Sequence, residues 1–231
     1  MKITATIRAQ AVYSLAASVF ATVPIFDLAD RLKARYSFRH TPTGQELVNP
    51  PPNQPLNFLW GQCNLPDREA VAIESLQVQN YAQLATGVSV ITRTSTDDSD
   101  AVLKDLREWV AGSFSVNVKP VFPTYYLSQL EFILDRPIAE QLKMLMPLSE
   151  LVTRLVRGYG FTACPAWEPS AVYLFFDNSR LTTPPTFAQA FIVDRRAGAS
   201  YDENRYYSQA PLKTSDHKRA LEELERALKQ G

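Results

Sequence analysis

Cysteine, histidine and glycine are all scarce in this chain of 231 residues, and each shortage removes a class of chemistry. The two cysteines, Cys63 and Cys164, lie far apart and outside any CxxC pair. A small disulfide-held secreted scaffold uses more of them. A zinc site needs clustered ligands, and only His40 and His217 are available to join these cysteines. Both thiols are therefore expected to be reduced and structurally placed, since free cysteine is among the most buried residue types. The eight glycines form neither GxGxxG nor GxxxxGK[ST], so the common phosphate-cradling loops are missing. GxSxG, HExxH and a DxDxDG loop are absent as well. The expectation is no cofactor, no metal and no catalytic residue that a motif would reveal.

Charge of one sign is also lacking, because 24 Lys and Arg balance 24 Asp and Glu. Such a balance supplies no long-range positive potential, so neither nucleic acid nor a membrane is an expected partner. The longest apolar run covers residues 11–26, is interrupted by Ser14, Ser18, Thr22 and Pro24, and falls short of the roughly 20 apolar residues of a spanning helix. Residues 1–21 also have the outline of a signal peptide, with Lys2 and Arg8 ahead of the run and Val19-Phe20-Ala21 as a cleavage site. Against that, Ile3, Ala5 and Ile7 alternate with Lys2, Thr4, Thr6 and Arg8 as a strand does. Val12, Leu15, Ala16, Val19, Phe20 and Val23 then follow helical spacing. A strand followed by a helix, in a cytoplasmic protein, is the favoured reading.

What remains is an ordinary folding composition, 45% hydrophobic and 21% charged, in a chain long enough to bury a core. Ile25, Leu28, Ala29 and Leu32, with Asp27 early and Arg35 late, predict a helix over 24–35. The proline-rich segment 41–55 excludes a helix or central strand by composition, and it marks a boundary between a possible N-terminal arm, 1–40, and a core, 56–231, of one domain. Val71, Ile73, Leu76 and Val78, then Val88 and Val90, predict a hairpin. Val102, Leu103, Leu106, Trp109 and Val110 predict a helix over 99–111. Further on, a strand is expected over 124–134, and helices over 138–146 and 148–157 separated by Pro147. Strands over 171–176 and 187–195, the latter two joined through a turn-rich stretch, precede a last helix from about Ser215. The fold class is α+β, an antiparallel or mixed sheet covered by helices.

Four clusters could carry chemistry. Asp97, Asp98 and Asp100 have the density of a magnesium site, but they sit at a helix start, where carboxylates cap amides and complement the dipole. His40 with Cys63, oriented by Asp67 or Glu69, has the residue types of a thiolate and imidazole pair without any signature around it. His217 stands in an N-terminal helical turn that disfavours its protonated form. Residues 195–212 combine Arg195, Arg196 and Arg205 with Tyr201, Tyr206 and Tyr207, the side chains that most often anchor interfaces. The sequence thus favours a non-catalytic binding or assembly protein that meets a protein partner or itself through that segment. A small-substrate enzyme with scattered residues is the alternative.

Overall fold

In the computed structural model, residues 1–16, 23–49, 54–66, 68–81, 85–121, 123–160, 163, 166–175 and 190–230 are described. They form strands β1 (Lys2–Ala16), β2 (Leu56–Cys63), β3 (Val71–Tyr81), β4 (Ala85–Thr92), β5 (Tyr125–Ile133), β6 (Val172–Leu174), β7 (Phe191–Arg195) and β8 (Arg205–Ala210). The helices are α1 (Ile25–Tyr36), α2 (Gly44–Val48), α3 (Thr96–Phe114), α4 (Ile138–Gln141), α5 (Met146–Gly158) and α6 (Thr214–Gln230). The eight strands make one antiparallel sheet in the order β2-β3-β4-β1-β5-β8-β7-β6, so the α+β class holds. The chain divides into two compact units. The larger comprises Thr6–Ser128 with Pro211–Thr214, and the smaller comprises Met1–Ala5, Gln129–Ala210 and Ser215–Gly231.

Apart from the short helices α2 and α4, the order strand, helix, three strands, helix occurs twice among the described residues, as β1-α1-β2-β3-β4-α3 and as β5-α5-β6-β7-β8-α6. Strand order repeats with it, running β2-β3-β4-β1 in one half and β6-β7-β8-β5 in the other. No repeat is readable in the residues themselves.

In the larger unit, Ala11, Tyr13 and Leu15 of β1 face Val90, Val88 and their neighbours of β4, and one sheet face buries them under α1 and α3. Leu28, Leu32, Leu103, Leu106 and Val110 are the buried positions of those helices, as their spacing predicts. α3 starts earlier than its apolar residues indicate, because the Ser95 hydroxyl accepts from the Asp98 amide and sets the first turn at Thr96. Gly61 lets the ring of Phe38 and the Tyr36 carbonyl close on β2: a Cβ there would stand 2.5 Å from the ring and 2.9 Å from the oxygen.

Several expectations need correction. β1 continues as a strand through Ala16, where helical spacing was read from Val12 onward; Val12 is buried on the opposite face from Ala11 and Tyr13, and burial on both faces mimics the helical period. The cleavage-site residues lie outside the described residues. Inside 41–55, Gly44–Val48 is helical, because Thr43 and Glu46 form a reciprocal capping box and the prolines flank the turn without entering it. Pro147 does not separate two helices but sits in the first turn of α5, where its missing N–H costs nothing. β2 answers to no expectation from the sequence, and β8 lies within the polar, tyrosine-rich segment after Arg195.

In the smaller unit, Leu130, Phe132, Val193, Tyr206 and Leu221 form the centre of a second core cluster with Leu134 and Ile138. Its polar member is His217, fully buried, edge-on to Phe191.

Candidate interaction surface

α5 is amphipathic in the reverse of the usual sense. Its buried residues are Ser149 and Thr153. The Thr153 hydroxyl donates to the Ser149 carbonyl at 2.8 Å and accepts from the Trp167 amide at 2.9 Å, which fixes this polar face against the chain leading to β6. The apolar residues point the other way. Leu148, Leu151 and Leu155 recur at spacings of three and four, with Met144 in the turn before the helix and Tyr159 just past its end, and the exposure of these five runs from 41% at Leu151 to 83% at Met144. Leu145 beside them is also exposed. That spacing places the side chains along one helical stripe.

β6 adds a second apolar feature. Among the described residues it pairs only with β7, and Tyr173, Leu174 and Phe175 are exposed along it. No lysine or proline lies in residues 171–175 to blunt the strand as edge strands usually are. The opposite terminal strand is treated differently, since the His40 and Leu59 backbones bond to each other over β2. Trp60, next in β2, adopts a left-handed φ of 58° there.

The residues expected to form an interface are placed as follows. Arg195 donates to the Tyr201 carbonyl at 3.0 Å and stacks over the Tyr201 ring at 3.8 Å. Arg196 and Arg205 both reach Glu131, at 3.0 and 3.4 Å, and Arg205 also meets Glu203. Tyr206 is a core residue whose hydroxyl accepts from the Ile138 amide at 3.0 Å. The Tyr207 hydroxyl donates to Gln209. Tyr201 and Arg196 remain the most exposed of the six.

The other candidates resolve into structure. Asp97 meets Lys213, Asp98 accepts from the Ser95 hydroxyl and pairs with Arg68, and Asp100 accepts from the Tyr13 hydroxyl, so the three carboxylates have separate partners. Among the described residues no cluster of His, Cys, Asp and Glu could hold a metal. Cys63 is buried and free, its thiol 3.9 Å from Asp105, and burial pushes its pKa up to about 11, the reverse of what a nucleophile needs. Asp105 meanwhile accepts two bonds from Arg35 and one from Tyr36, tying α1 to α3. Cys164 and Asp67 lie outside the described residues.

Ser208 and His217 approach a hydrolase pair in distance, with Oγ 2.8 Å from Nε2. The Ser208 hydroxyl, however, donates to the Ile192 carbonyl at 2.7 Å. Having one proton to give, it must accept from Nε2–H, which leaves Nδ1 unprotonated and without a partner among the described residues. A base that holds its proton toward the serine cannot take one from it, and neither side chain is exposed. A cavity of about 20 Å³ in the larger unit, lined by Leu28, Leu32, Leu76, Leu103 and Leu106 among others, has the size of a packing defect and few polar groups to orient a ligand.

No protein-family model matches the chain, and no curated protein is similar to it. Among the described residues, no helix is long and apolar enough to cross a membrane.

Proposed function

We propose that this chain is a non-catalytic assembly protein and that the outward apolar stripe of α5, with the β6 edge, is its contact surface. The observation that carries this reading is the inversion of α5, which buries two hydroxyl side chains and leaves Leu148, Leu151 and Leu155 exposed. Burying a leucine fully is worth about 1.5–3 kcal/mol, so a helix with no partner forgoes several such contributions by facing this way. The orphaned bases and metal-like clusters give no support to a reaction. Of the segment 195–212, Tyr201 and Arg196 serve in this reading as secondary contacts. The cytoplasm is the proposed setting, which the free thiol of Cys63 supports.

The experiment is gel filtration of fresh lysate from cells expressing either the wild type or Leu151→Gln with Leu155→Gln. The wild type should elute well above 26.0 kDa and the double variant at that mass, with unchanged thermal stability of the purified chains. Elution of both at the monomer mass would refute assembly through this surface.

A further inference from the structure

We draw no further inference here: the strongest candidate, the outward apolar face of α5 along Leu148, Leu151 and Leu155, belongs to the surface already described, and nothing in the structure shows what covers it.

Discussion

Lowering the pH should destabilise this protein through His217. The imidazole is fully buried, receives no charge partner, and gives its one proton from Nε2 to Ser208 while Nδ1 faces no donor. Burial alone lowers its pKa from 6.5 to about 4. The unfolded chain therefore takes up a proton at a pH where the folded chain refuses it, and stability falls wherever the unfolded state binds more protons. The contribution is complete above pH 6.5, declines as the pH drops below that value, and is gone near pH 4. At about 1.36 kcal/mol per pH unit the loss over that window is about 3 kcal/mol, a large part of a domain's usual 5–15 kcal/mol. Urea denaturation at pH 7.5, 6.5, 5.5 and 4.5 measures it. His217→Gln retains a donor for Ser208 and does not titrate, so subtracting its profile from that of the wild type removes the carboxylates, which both proteins share. The wild type should lose about 2.5 kcal/mol more than the variant between the first and last points. Parallel profiles would show that the imidazole is hydrated or paired, and would refute both the burial and the tautomer argued from Ser208.

Leu106→Ala, at the centre of the α3 contact with the sheet, should cost on the order of 2–5 kcal/mol in chemical denaturation. Thr96 and Thr214 each accept the other's backbone amide, at 2.8 and 3.0 Å, where α3 and α6 begin. Either Thr→Val change should cost about 1–3 kcal/mol by leaving a buried amide unpaired, with non-additivity in the double variant. Gly61→Ala should lower the thermal midpoint, because the new methyl meets the Phe38 ring and the Tyr36 carbonyl together. Alkylation without reductant should leave Cys63 unmodified in the native protein and modify it once unfolded, as its burial requires.

α3 was legible because two independent signals agree on it, the acidic residues at its start and Leu103, Leu106 and Val110 on one face, while the Ser95 cap that sets its first turn at Thr96 was not read. β8 was not, because its inward residues are Tyr206, Ser208 and Ala210 while Arg205, Tyr207 and Gln209 face outward. A strand whose core side holds a serine bonded to a buried histidine has no hydrophobic alternation to read. The first half of β1 was legible from its alternation, and its continuation from Val12 to Ala16 was not, for the opposite reason, with apolar residues buried on both faces. The clustered arginines and tyrosines of 195–212 promised an interface by residue type alone, yet composition does not say which charges already have partners, and Glu131 takes two of the three arginines. A helix in the region of α5 was legible from its bounding prolines and glycines, but its apolar stripe was not read. Its direction is not legible either, since a hydrophobic period fixes only that one face is apolar, never that this face points inward.

The repeated element order gives that direction its weight. α1 and α5 occupy the same place in the two halves, each following the first strand of its set and preceding the next three. α1 behaves as such a helix is expected to, burying Leu28, Ala29, Leu32 and Tyr36. α5 has apolar residues enough to do the same and instead turns Ser149 and Thr153 inward, with a hydrogen bond from Trp167 holding that orientation. A helix that merely packed poorly would show no satisfied polar contact on its buried side. The inward face of α5 is held by its own hydrogen bonds, so the exposure of its leucines follows from how that polar face is satisfied and not from a shortage of apolar residues.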